Sequence, residues 1–274
     1  MIALELVCLA IVVLYVAARF VRASDRGERM AFGARFAMLV LASFAGEDTV
    51  IRAYGYYAYA SGWSARLDHV PVVIVLVWPV VIDSAAMLAR AMAGAGASTL
   101  RVATLGAVIV LADASLIEPI AVRAGLWRWT EPGLFDVPLV GIVGWAFFAW
   151  AAILVLEHAV WRAGAFALVV VAPLATHALI LASWWSVFRW TQGARSGTTA
   201  AALVWVLSLA MAIRIARARG SVRVPISELL LRLPGASFFF VLLATSSPDP
   251  ALVAFAIAFA PPYMLGMLRA KKTS

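Results

Sequence analysis

The sequence has a single cysteine, Cys8, and that residue sits in an apolar run, so a disulfide framework and a thiolate metal site are both excluded. Charge is scarce. Only 13% of residues are Asp, Glu, Lys or Arg, against 65% hydrophobic, whereas a soluble domain carries about 25% charged residues. A mean hydropathy of +0.97 is more than one water-soluble core needs. The first apolar run lacks a basic segment before it and a small-residue cleavage site after it, so a retained helix is expected in place of a secretory signal. Also missing is any paired Asp-rich cluster of the DDxxD type, which would hold a diphosphate through Mg²⁺. No metal and no cofactor are expected. The net charge of +8 would suggest nucleic acid in a soluble chain. Here it reads as membrane topology, and no nucleic-acid partner is expected.

What the chain has is apolar length. Runs near 2–18, 32–51, 70–92, 99–121, 137–160, 163–187, 198–216 and 250–268 are each about long enough to cross a hydrocarbon layer of ~30 Å. A shorter run at 235–246 is either a ninth span or a re-entrant segment. The expected fold is therefore an all-α polytopic transmembrane bundle of eight or nine spans, forming one integral membrane domain over 1–274. With nine crossings and the N-terminus outside, the inner connections hold 16 of the 22 Lys plus Arg. The other six are Arg52, Arg66, Arg123, Arg128, Arg189 and Arg195. Retention of positive charge on the cytoplasmic side favours that orientation, in a cytoplasmic membrane with the C-terminus inside. Residues 217–233, which overlap the phrase "VRVPISELLLRLPGA" at 222–236, read either as an amphipathic helix on the inner face or as an ordinary loop.

One phrase is written twice. "EDTVIRAYGYYAY" begins at Glu47 and "EPIAVRAGLWRW" at Glu118. Each has an acid, an Arg five residues on, a Gly, and an aromatic–x–aromatic element. Val-Pro follows in both copies, at Val70-Pro71 and Val137-Pro138, with a Trp seven residues beyond the proline, Trp78 and Trp145. The offset is 71 at Glu47/Glu118, 70 at Tyr57/Trp127 and Tyr59/Trp129, and 67 at Trp78/Trp145. Residues 32–92 and 99–160 thus read as a parallel repeat of helix pairs, and such symmetry often frames a site between its halves. Proline suits the first turn of a helix, where its missing N–H is not needed. Duplicated interfacial packing would explain the aromatics alone; it explains the acids poorly, because carboxyls within spans are costly.

Depth along each helix, at about 1.5 Å per residue, groups the polar side chains. Glu47 with its neighbour Asp48, Asp113, Glu118 and His177 fall in one outer layer with Tyr57, Tyr59, Trp78, Trp127, Trp129, Trp145 and Trp184. Asp83 lies deeper, as either a structural partner or a second functional acid. Glu5 is expected to snorkel, Glu157 to be solvated, and Arg52 and Arg123 to pair with local acids or lipid phosphates. A carboxyl in apolar surroundings tends to keep its proton, which makes it a competent acid toward an alkene. The tertiary carbocation so formed can rest against aromatic faces. Glu47, Glu118 and Asp113 are the catalytic candidates, and the other residues of the layer, with Asp83, are the candidate pocket.

The segments "EDTVIRAYGYYAY…HVPVVIVLVW" and "DASLIEPIAVRAGLWRWTEPGLFDVPLVGIVGW" resemble the two signature regions of the carotenoid biosynthesis membrane proteins, including the carotenoid 1,2-hydratases and bisanhydrobacterioruberin hydratases. The resemblance covers roughly residues 40–150. It implies cofactor-free addition of water across the terminal alkene of a carotenoid inside the lipid bilayer. By position, Glu118 before Pro119 and Glu47 are the leading acid/base candidates, with the proton donor between them left open, and Trp127, Trp129 and Trp145 line the pocket. The chain departs from the family pattern at Glu118, where Asp is usual, and at Gly141-Ile142, where Asn–Phe is common. A protonation-initiated terpene or carotene cyclase would use the same acids. A proton-coupled transporter of a hydrophobic molecule and a non-catalytic lipid-binding scaffold are the readings from other classes.

Overall fold

The computed structural model describes residues 1–158, 164–191, 193, 195–217, 222–246 and 249–271. Arg162, Arg219 and Lys272, three of the basic residues used for orientation, lie outside the described residues. Among the described residues, nine helical segments are long and apolar enough to cross a membrane. They are α1 (Ile2–Arg22), α2 (Arg26–Tyr54), α3 (Val72–Ala93), α4 (Thr99–Arg123), α5 (Leu139–His158), α6 (Gly164–Ser186) and α7 (Gly197–Arg217), followed by two segments in two pieces each. The eighth joins α8 (Ile226–Leu230) to α9 (Leu233–Thr245), and the ninth joins α10 (Pro250–Ile257) to α11 (Ala260–Arg269). The protein is a multi-pass membrane protein of the expected all-α class.

Local sequence explains several ends. Asp25 accepts from the Glu28 amide at 2.8 Å while Glu28 accepts from the Ser24 amide at 2.8 Å, a reciprocal cap that starts α2. Asp249 caps α10 at the Leu252 amide, 2.7 Å, with Pro250 in the first turn. Gly55 ends α2 with φ +63°, and Gly125 follows α4 with φ +72°. Both turns leave the helix through the left-handed region, where glycine has no steric penalty. Each glycine therefore bends the chain back over the bundle as a short strand.

Those strands are β1 (Tyr57–Tyr59) and β4 (Trp127–Trp129), which pair antiparallel. Between them β2 (Arg66–Leu67) and β3 (Val70–Pro71) make a tight hairpin leading into α3. The β1–β4 register sets Tyr57 opposite Trp129, Ala58 opposite Arg128 and Tyr59 opposite Trp127. Positions at corresponding places in the two phrases thus cross in the register, with Ala58 and Arg128 at its centre.

The centre of the bundle is lined by small side chains. Ala85, Ala86 and Ala89 on α3, Ala103 on α4, and Ala149, Ala151 and Ala152 on α5 are all buried in one cluster. Lipid tails are as apolar as leucine, so helix association in a membrane relies on close packing and polar contacts, and small residues permit the approach. α1 and α7 are the least buried spans, with Leu6, Val13, Leu203 and Leu207 exposed.

The end of the bundle away from β1 and β4 is held by ion pairs. Arg19 meets Asp83 at 3.1 Å and Arg22 meets Glu228 at 3.1 Å. Arg90 meets Glu157 through Nε at 2.5 Å, so Glu157 is paired and not simply solvated. The 217–233 segment is not one interfacial helix. Within it β5 (Val222–Pro225) runs parallel to β6 (Ala270–Lys271), and Ile226 already begins the eighth span. The physical reason is Glu228: paired with two arginines of α1, it can be buried with its segment. Residues 218–221 of that segment lie outside the described residues.

Candidate active site

Glu47 lies seven residues before the end of α2, about 10 Å down the helix axis. Its Oε1 accepts from Trp78 Nε1 at 2.8 Å. Its Oε2 accepts from the Tyr59 hydroxyl at 3.0 Å and from the Tyr57 hydroxyl. Glu118 takes the corresponding place on α4. Its Oε1 accepts from Trp145 Nε1 at 2.8 Å, and its Oε2 from Trp127 Nε1 at 2.8 Å and Trp129 Nε1 at 3.0 Å. Each copy therefore folds its aromatic–x–aromatic strand and its helical Trp onto its own acid.

The two assemblies are one. Trp78 and Trp145 lie 4.4 Å apart centre to centre, and Tyr57 lies 4.7 Å from Trp129. Tyr59 stands edge-on to Trp127 at 5.8 Å. Glu118 is buried at 2% exposure, and Glu47 is half-buried. Burial, reinforced by the Glu47 charge and then others including Glu118, holds the Tyr57 and Tyr59 hydroxyls well above the ordinary phenol range. They stay protonated, and able to donate, across the physiological range. Tyr57, which donates to Glu47, packs on Trp129, which donates to Glu118, so the two carboxyls face one aromatic box.

The remaining predicted residues fall elsewhere. Asp113 is not in the box. It binds Arg232, whose Nη2 reaches Oδ1 at 2.5 Å and Oδ2 at 2.6 Å, while Nη1 reaches Ser84 Oγ at 2.8 Å. Five residues at about 100° each put Asp113 some 140° around α4 from Glu118. Asp83, five residues after Trp78, is turned away on α3 for the same reason and binds Arg19 and the Tyr15 hydroxyl, the latter at 2.7 Å. Asp48, adjacent to Glu47, faces the loop instead, binding Arg52 Nε at 2.7 Å and His69 Nδ1 at 3.0 Å.

His177 and Trp184 belong to a neighbouring stack. His177 Nδ1 meets the Tyr54 hydroxyl at 2.8 Å and Nε2 meets Thr49 Oγ1 at 2.9 Å, and Tyr56 lies 5.4 Å from Trp184. Glu5 accepts from the Ser64 amide at 2.6 Å and ties α1 to the β1–β2 loop, so it does more than snorkel. Asp48, Asp68 and His69 bring ligand atoms within 4.8 Å of one another. Arg52 bonds both carboxylates, so a guanidinium supplies positive charge to that group. Two cavities open at the same end of the bundle, one beside Pro138, Val140 and Trp184, the other beside Phe135, Arg195 and Asp249; neither is lined by Glu47 or Glu118.

The pattern of the carotenoid biosynthesis protein family matches residues 3–211. The chain belongs to that family. The match contains both acid–aromatic modules and reaches well past the 40–150 region whose motifs are legible by eye. It stops before α8 to α11, so Arg232, which holds Asp113, comes from outside the matched part. No curated protein and no solved structure matches the chain.

Two contributors escaped the sequence reading. Arg232 carried a usable signal, as a charge within an apolar span that must find an acid. Gly141 carried one only as a departure from the family pattern. A Cβ there would lie 2.5 Å and 2.6 Å from Trp129 ring atoms, so the missing side chain is what seats that indole on Glu118. Gly141→Ala is expected to displace Trp129 and to lower stability by about 1–3 kcal/mol, the usual cost of overpacking. Thermal unfolding in detergent measures it, and a cost near zero would show that Trp129 is not held by Gly141.

Proposed function

We propose that this protein is a membrane-embedded enzyme that protonates a terminal alkene of a carotenoid or related isoprenoid and lets water capture the tertiary carbocation. One observation carries the reading. Among the described residues, five other acids of the helices have arginines: Asp48 has Arg52, Asp83 has Arg19, Asp113 has Arg232, Glu157 has Arg90, and Glu228 has Arg22, while Glu5 and Glu28, in the first turns of α1 and α2, accept from the Ser64 and Ser24 backbone amides. Glu47 and Glu118 meet only neutral phenol and indole donors. Two carboxylate charges facing one apolar box are costly without a cation. A proton kept between them relieves that cost, and it is also the reagent that alkene hydration needs.

The aromatic walls supply the second requirement. Protonation at the less substituted carbon of a trisubstituted alkene leaves charge on the tertiary carbon. The negative faces of Trp78, Trp129, Trp145 and Tyr57 can stabilise it by roughly 0.5–2 kcal/mol each where water is excluded. Family membership supports a role in carotenoid modification. The rings fill the space between the acids, so the polyene end enters by parting the Trp78–Trp145 pair, 4.4 Å between centres. With the N-terminus outside, the box lies in the outer half of the bilayer.

Expression in a bacterium that makes a linear carotenoid with unsubstituted ends tests the proposal. The expected pigment is heavier by one water for each modified end. A pigment of unchanged mass but altered absorption would identify the cyclase instead. Unaltered pigment would remove linear carotenoids as the substrate class.

A further inference from the structure

Glu47 and Glu118 occupy equivalent places, yet their partners differ in chemistry. Two of the three groups on Glu47 are phenols, Tyr57 and Tyr59; all three on Glu118 are indoles, Trp127, Trp129 and Trp145. A phenol hydroxyl both donates and accepts, whereas an indole N–H only donates. When Glu47 carries a proton, that proton can be given in a hydrogen bond to a phenol oxygen while the phenol turns its own hydrogen elsewhere. None of the three partners of Glu118 can accept a proton's hydrogen bond. A proton placed there leaves a buried O–H without an acceptor among them, and an unmet buried donor costs about 1–3 kcal/mol.

Resting on the reading of this box as an alkene hydratase, we propose a division of labour: Glu47 is the proton donor, and Glu118 is the carboxylate that faces the cation and takes the proton of the attacking water. The Glu47 O–H bond breaks and a C–H bond forms at the less substituted alkene carbon, using the π electron pair. Water oxygen then bonds to the tertiary carbon, and Glu118 removes the proton that this oxygen sheds. The net change is addition of one water, and a proton passing from Glu118 to Glu47 restores the start. Tyr57 and Tyr59 are positioning residues, which hold Glu47 in either protonation state. The duplication thus yields an acid half and a base half through exchange of Tyr for Trp at two positions.

The experiment uses the full-length protein in lipid nanodiscs, with lycopene as the polyene and D₂O as solvent. The wild type is expected to give a water adduct bearing deuterium on carbon. Glu47→Gln loses both the adduct and the carbon-bound label, by at least about 100-fold. Glu118→Gln loses the adduct but still places deuterium on carbon in recovered lycopene, because the cation forms and returns a proton to Glu47. Tyr57→Phe with Tyr59→Phe lowers label uptake at least about 10-fold, whereas Trp127→Phe lowers adduct formation more than label uptake. Label uptake that survives in Glu47→Gln and vanishes in Glu118→Gln overturns the assignment, as does equal loss of label in both. A wild-type protein that forms no adduct and takes up no label overturns the hydratase reading itself, a result distinct from either.

Discussion

Glu118→Gln is expected to reduce conversion of a linear polyene by roughly 100- to 10,000-fold, the usual contribution of a positioned acid or base. The same change has a structural cost, which must be separated from the chemical one. Glutamine keeps one acceptor oxygen and replaces the other with an NH₂ group. If the oxygen stays where Trp127 and Trp129 both donate, the new amide N–H faces Trp145 Nε1, now 2.8 Å from Glu118 Oε1. Two donors then confront each other in a buried place, at a cost of about 1–3 kcal/mol. Adding Trp145→Phe removes that confrontation. The double variant should therefore recover stability over Glu118→Gln while staying inactive. Pigment mass analysis and thermal unfolding in detergent, run side by side, separate the two effects. Activity that returns together with stability would show that Glu118 only braces the aromatic loops.

Arg232→Met is expected to destabilise the bundle by about 3–5 kcal/mol, because breaking a buried pair from one side leaves a charge without a partner. Arg232 immediately precedes α9 and reaches α3 at Ser84 and α4 at Asp113. It therefore ties the eighth span to two central helices. Asp113 is 22% exposed and Arg232 15%, so water replaces little of what the pair loses. Adding Asp113→Leu to Arg232→Met should restore most of the stability, since a pair exchanged for apolar residues is often neutral or better. Neither variant should abolish pigment conversion, because Asp113 lies on the opposite side of α4 from Glu118. Unfolding in detergent gives the first quantity and pigment analysis the second. A loss below about 1 kcal/mol would place the pair in the solvent-exposed class. Loss of all activity in a folded Asp113→Leu, Arg232→Met protein would return Asp113 to the reacting centre.

These two results bear on how much of the site was legible in advance. The repeat singled out Glu47 and Glu118 because two copies of a chain seldom retain a costly charge at the same place without a shared use for it. The spacing of the aromatics after each glycine was equally plain, and the left-handed turns at Gly55 and Gly125 explain it: both turns lead into strands whose side chains alternate back onto the acids. Asp113 was misplaced by reasoning from depth alone. It lies less than two turns from Glu118 along α4 but about 140° around it. His177 and Trp184 share the depth of the box and still belong to the Tyr54–Tyr56 stack, for α6 reaches α2 on the face carrying Thr49.

The sequence by itself determined the solvent, the apolar length for eight or nine crossings and the twice-written phrase, because hydropathy, helix length and repeat spacing are properties of a chain read in one dimension. Only the tertiary structure decided which acids are neutralised by arginine and which are ringed by neutral aromatics. That choice depends on the azimuth of each side chain and on contacts between residues as distant as Asp113 and Arg232. Around a helix, one residue turns the direction by about 100° while advancing only about 1.5 Å, so equal depth says little about which neighbours a charge will meet.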